Sequence, residues 1–199
     1  MTGSQKIRAF WSNIPNYKQR AICAHCSDPI ESLEHILLEC THPNRKTIWN
    51  LVKQHWPEKQ HRWTIPTIGQ ILGCGNIKHD ENKDDADTAR KRGNARLKRI
   101  LISESAYLIW TLRCERVIGG QTTRHQAVSS RWLHQIETRL NIDRRLAISN
   151  RKKHNHNKIK HTWQPILNHP NPLPNNWTTN LEVLVGINLS RPSATEDTG

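Results

Sequence analysis

The sequence predicts a mostly α-helical protein: a small CCHC knuckle near the N-terminal end, followed by a helical domain with one long helix. Three observations carry that expectation. Cys23, Cys26, His35 and Cys40 fall within eighteen residues of a chain of 199. A helix-period apolar stripe runs through about residues 89–118. The chain is also lean, with 35% hydrophobic residues and a mean hydropathy of −0.77, so its core needs a staple.

Residues 1–22 read as a basic N-terminal segment in which Ile14-Pro15 sets an extended entry to the cysteines. Residues 23–42, CAHCSDPIESLEHILLECTH, form a compact unit. Asp28-Pro29 signals a turn, and Ser32 ahead of Leu33, Ile36 and Leu37 starts a short helix. Pro43-Asn44 breaks the chain. A second helix follows over about 44–56, with Ile48, Leu51, Val52 and Trp56 on one side and Pro57 as its stop. Residues 64–73 make one short helix or turn, completing a stretch of short helices over 43–75.

Residues 76–88 are an acidic loop, solvated and without a fold of its own. In the long helix, Leu97, Leu101, Leu108 and Leu112 recur at intervals of four and seven, with Ser105 among them, and Gly119-Gly120 ends it. It would span ~45 Å. A partner helix starts at Thr123, where Thr123 and Gln126 fit a capping box. It buries Trp132, Leu133, Ile136 and Leu140 and either continues or kinks near Asn141. These two make a long helical pair over 89–150. Residues 151–187 are basic and Pro-rich, closing on LEVLVGI as a short strand or packed segment; 188–199 read as a disordered tail.

Charge narrows the functional classes. Lys and Arg number 30 against 17 Asp and Glu, for a net +13 and a pI near 10.0. No apolar stretch is long enough to span a bilayer, and MTGSQKIRAFWSN lacks a secretory apolar run. The expected location is intracellular, nuclear or cytoplasmic, where five cysteines stay reduced. The first turns of the long helix carry Arg90, Lys91, Arg92, Arg96, Lys98 and Arg99. Cations there oppose the helix dipole, so stability alone does not favour them. Residues 144–161 hold seven Lys and Arg and no acid, among them Arg151, Lys152, Lys153, Lys158 and Lys160. Such runs suit phosphate contact without sequence preference, although a basic face can serve solubility alone. Most of the eight Trp read as core anchors; a few could stack on bases.

Cys23-x2-Cys26-x8-His35-x4-Cys40 is the sharpest chemical signal. Thiolate and imidazole suit a tetrahedral zinc ion, and a C-x2-C turn grips it with two sulfurs. The second pair must come from the short helix. A spacing of five from His35 to Cys40 does not fit one helical face, so Cys40 belongs at or just past the helix end. His25, Glu39 and His42 are lower-ranked ligands, and the alternative is that the thiols are simply buried. Four protein ligands leave no open position, which makes the ion structural. Cys74 and Cys114 read as packing thiols. No phosphate-loop or nucleophile-elbow motif is present, the acids do not gather as two-metal catalysis requires, and His154 and His156 sit in the basic run. The chain is therefore expected to be non-catalytic and to take no small-molecule substrate.

The run IPNYKQRAICAHCSDPIESLEHILLECTHPNRKTIW resembles the zinc-binding domain of non-LTR retrotransposon reverse transcriptases. The shared pattern is C-x2-C, E-x-x-x-H at a helix start, a Cys after the helix and a downstream Trp. ILGCG, LISESAYLIWTLRCERVI, RWLHQIETRLNIDRRLA and the stretch from Trp177 to EVLVGI resemble the C-terminal region of fungal members that carry RNase H, so the likeness covers most of 7–187. It implies zinc on Cys23, Cys26, His35 and Cys40, binding of element RNA or target DNA, and a reverse transcriptase or RNase H domain as partner. The polymerase YxDD motif and the dispersed RNase H acids are missing, so the chain corresponds to the tail of such a polyprotein. The competing expectations are an RNase H-type protein without its catalytic domain, and an interaction scaffold or inert relic.

Overall fold

A computed structural model describes residues 7, 9–57, 62–77, 88–149, 153–168 and 172–187. The acidic stretch 78–87, the tail 188–199, Arg151 and Lys152 lie outside the described residues. The structure is mostly helical. Helix α1 is Ala9–Ser12, α2 Pro43–His55, α3 Ile68–Leu72, α4 Thr88–Gly119, α5 His125–Ser149 and α6 Lys153–Trp163. A π turn spans His35–Glu39. Two two-residue strands, β1 Leu167–Asn168 and β2 Gly186–Ile187, pair antiparallel with Leu167 opposite Ile187.

Helix α4 has 32 residues, hence about 48 Å of axis, and α2, α5, α6 and the π turn all pack on it. It buries two adjoining lines: Leu97, Leu101, Ser105, Leu108 and Leu112, and Ile102, Ala106, Ile109 and Arg113. A helix covered on more than one side needs this wider arc. Trp132, Ile136 and Leu140 of α5 face it, all within 1% of full burial. Six of the eight Trp are buried, so the core-anchor expectation holds for Trp49, Trp56, Trp63, Trp132, Trp163 and Trp177.

Two boundaries differ from the sequence reading. Pro43 does not break the chain but opens α2, with the His42 imidazole accepting from the Asn44 amide at 3.2 Å; proline suits a first helical turn, where no N–H is needed. Helix α5 begins at His125, so Thr123 and Gln126 do not frame its first turn, and it runs without a break past Asn141 to Ser149. The capping box sits instead on α3, where Thr67 and Gln70 exchange bonds of 3.2 and 3.1 Å. LEVLVGI supplies β2, which unites the two options of strand and packed segment.

The densest basic run is divided between two roles. Arg144 is buried and donates to the carbonyls of Trp177, Asn180 and Val183 at 3.2, 2.6 and 2.8 Å, tying the C-terminal segment to α5. Burial lowers its pKa. Helix α6 lies against the start of α4. A Cβ on Gly93 would stand 2.4 Å from the His161 carbonyl oxygen, so only glycine permits this approach.

Candidate metal centre

Cys23 and Cys26 sit on one tight turn. The Ser27 amide bonds to the Cys23 carbonyl at 3.0 Å, the Cys23 amide to the Asp28 carbonyl at 2.9 Å, and Ser27 takes a left-handed φ of 57°. The second pair comes from the π turn. Ser32 starts it as the sequence predicts: its hydroxyl accepts from the His35 amide at 2.9 Å. The Cys40 amide then bonds to the His35 carbonyl at 2.7 Å. That i to i+5 bond is the wide turn by which His35 and Cys40, five apart, both reach one point. Cys40 is the residue that caps it, with φ −50° and ψ 132°.

Four ligand atoms converge, one each from Cys23, Cys26, His35 and Cys40, all within 4.8 Å of one another. The Cys23 and Cys40 sulfurs are 3.8 Å apart, and the Cys26 sulfur is 3.2 Å from His35 Nε2. Cys23, His35 and Cys40 are buried and Cys26 is half-buried. This group could hold a metal ion. His35 presents Nε2 to the cluster and Nδ1 to the Asp28 carboxylate at 3.4 Å, with Glu39 at 3.8 Å. Neither is aligned as a hydrogen bond to that buried nitrogen, but a carboxylate behind a ligating imidazole is the usual way its tautomer is fixed.

The thiols are unequal. Burial drives Cys40 up to about 12, partly offset by the His42 backbone, and the Cys23 and Cys26 sulfurs push the same way. Burial also raises Cys26, but the backbones of Asp28 and Thr41 and the neighbouring Cys23 and Cys40 thiols bring it below its ordinary value. Sulfurs this close repel as thiolates, a repulsion that a bound cation would remove.

The lower-ranked ligands fall outside the group. His42 caps α2, and burial, Arg116 and His25 lower its pKa to about 4. Its ring meets His25 at 4.6 Å, and Glu39 is 60% exposed. The unit is held from below by Trp49, whose indole donates to the Leu37 carbonyl at 2.8 Å, and by Arg45, which donates to the Cys40 carbonyl at 2.6 Å. The downstream Trp of the motif is thus a brace for the π turn.

The predicted phosphate contacts separate. Arg90 and Arg92 are exposed on α4, with Lys91, Lys98 and Arg99 half-buried; Lys158 is exposed and Lys160 half-buried on α6. The described side chains of α6 begin at His156, so Lys153 is not among them. Arg96 is engaged inside the fold. Its guanidinium bonds both oxygens of buried Asp143, at 2.6 and 2.8 Å, and the Trp163 indole donates to the same carboxylate at 2.7 Å. Asp143 lies 47 residues away in sequence, so nothing local marks Arg96 as internal. Sequence reasoning also missed Asp28 behind His35 and a buried contact between Glu31 and Arg113. His156 meets the Thr178 hydroxyl through Nδ1, a structural contact rather than a place in a solvated run.

Among the described residues, no helix is long and apolar enough to cross a membrane. No protein-family model matches the chain, and no match was found among curated proteins or solved structures.

Proposed function

We propose that this chain is a non-catalytic nucleic-acid-binding module, resembling the zinc-binding tail of a non-LTR retrotransposon reverse transcriptase. Zinc on Cys23, Cys26, His35 and Cys40 orders its N-terminal unit. Sulfurs about 2.3 Å from a tetrahedral zinc stand about 3.8 Å apart, the separation of the Cys23 and Cys40 sulfurs. Soft thiolates with one imidazole favour zinc over oxygen-seeking cations. With all four positions taken by protein, the ion is a staple.

The observation that carries nucleic-acid binding is the contact between the early turns of α4 and the last turn of α6, where Gly93 meets His161. It joins two acid-free basic stretches, since no Asp or Glu occurs in 88–103 or 144–181. Asp143, the acid beside them, is committed to Arg96 and Trp163. Lys98, Arg99, Lys158 and Lys160 add their fields across this contact. The expected partner is RNA or DNA, bound through phosphates and largely without sequence preference.

Two measurements test this. Elemental analysis of the purified chain should return one zinc per molecule, lost in Cys26→Ser. Binding to a labelled oligonucleotide should weaken steeply as salt rises, because each phosphate contact releases counterions. Flat or absent binding overturns the nucleic-acid reading, and folded protein without metal overturns the zinc reading.

A further inference from the structure

We infer that Phe10, Trp11 and Tyr17, with Lys18 and Arg20, form a stacking platform for the unpaired bases of single-stranded nucleic acid. This rests on the nucleic-acid reading above and names the form of the ligand.

The chain has one Phe and two Tyr. The Phe and one Tyr gather here at the surface, away from the Trp-rich core. Phe10 and Tyr17 are 43% and 42% exposed. The Phe10 and Trp11 rings meet edge to face at 4.9 Å, and the Trp11 and Tyr17 rings lie 5.7 Å apart at a tilt of 36°. The Arg20 guanidinium stands 5.1 Å from the Trp11 centroid and 4.9 Å from that of Tyr17. This is a row of flat groups with a cation built into it.

The backbone is bent to make the row. The Ile14 amide bonds to the Trp11 carbonyl at 3.2 Å and the Tyr17 amide to the Ile14 carbonyl at 3.1 Å. Asn16 closes the turn with a left-handed φ of 69°, a conformation that asparagine adopts more readily than most side chains. The segment is anchored: the Glu31 amide bonds to the Ala21 carbonyl at 2.9 Å, two residues before Cys23.

Charge selects the occupant. The first acid in the chain is Asp28, and four cations, Lys6, Arg8, Lys18 and Arg20, precede it. Exposed rings on a stretch that carries cations and no acid of its own fit a polyanion that carries flat groups. In a duplex, base faces are already stacked on one another and only edges reach the grooves. A surface ring therefore needs an unpaired base, and every base offers a π face, so sequence is not selected.

The test compares oligo(A) RNA, oligo(dA) DNA and a DNA duplex of equal length, each titrated against the full chain over a range of salt. Wild type should favour both single strands over the duplex. Phe10→Ala/Tyr17→Ala should bind them about 5- to 100-fold more weakly, with an unchanged salt slope, because no phosphate-binding cation is removed. Tyr17→Phe should bind like wild type. If the double variant keeps wild-type affinity and strand preference while wild type binds nucleic acid with a salt slope, the platform is overturned and the nucleic-acid reading stands. If wild type binds none of the probes, both fall. Photocrosslinking of oligo(U) to wild type gives a second readout that needs no variant. Adducts within residues 10–17 are expected, and adducts confined to other segments overturn the platform.

Discussion

Arg113 of the long helix donates from Nε to Oε1 of Glu31 at 3.2 Å, and its other arm reaches Oε2. Glu31 belongs to the loop between the two halves of the metal cluster, and both residues are buried. Burial works against the Arg113 charge, and the Glu31 carboxylate together with Cys114 more than offsets it, leaving its pKa raised. The unit that carries the four cysteine and histidine side chains is thus fastened to α4 by a charge pair rather than by apolar packing alone. Breaking one side of such a pair costs about 3–5 kcal/mol, because a charge is left buried. Arg113→Ala should lose that much in urea denaturation. Glu31→Leu/Arg113→Leu should regain a large part of it, and a double variant as weak as the single one would show that the pair's charges are not what fastens the unit.

Metal removal follows from the same arrangement. The π turn is only five residues long and is stitched to α2 by Trp49 and Arg45. A helical turn that short does not persist alone. Chelation should therefore loosen residues 23–42 while α4 and α5 stay helical. Hydrogen exchange with and without a zinc chelator should show protection lost at His35–Cys40 and kept at Leu97–Leu112. Uniform loss across the chain would mean that the metal holds the whole fold.

Gly93 offers a case in which two magnitudes compete. In an exposed helix interior, Gly→Ala gains about 1 kcal/mol. At Gly93 the new Cβ would lie 2.4 Å from backbone of α6, and overpacking costs about 1–3 kcal/mol. The clash is with main chain, which cannot rotate away. Gly93→Ala should therefore lower the melting temperature, whereas Gly75→Ala, whose Cβ meets nothing within 4 Å, should leave it near wild type.

What the sequence discloses divides along contact range. Cys23, Cys26, His35 and Cys40 are readable because ligand chemistry dictates type and spacing within one short stretch. The α4 stripe is readable because a covered helix repeats every turn. Ser105 is not: it interrupts an apolar line, and its purpose is to accept the Trp132 indole N–H at 2.9 Å, 27 residues away. Arg96 and Arg144 look like surface cations until Asp143 and the carbonyls of 177–183 are folded against them. Polar residues that are buried by a distant partner carry no local mark. The aromatic cluster at 10–20 depends in turn on a bend at Asn16 that brings Tyr17 back on Trp11.

Arg96 and the α6 lysines separate stability from binding. Arg96 is held by Asp143, which is 3% exposed and shared with Trp163. Arg96→Gln keeps much of the side chain but leaves Asp143 charged and short of its bidentate partner. It should cost several kcal/mol of stability, in the range of a broken buried pair. Lys158 and Lys160, by the proposed reading, meet phosphate as point charges. Lys158→Gln/Lys160→Gln should unfold with wild type, since surface substitutions usually move stability by under about 0.5 kcal/mol. It should also bind nucleic acid more weakly and with a shallower salt slope, by roughly one unit for each phosphate no longer neutralised. Arg96→Gln, tested well below its melting point, should keep the wild-type slope. If the two variants exchange these behaviours, Arg96 is a phosphate ligand after all and α6 is scaffold. If the lysine pair leaves both affinity and slope untouched, phosphate is met elsewhere on the chain, and the junction of α4 and α6 is structural.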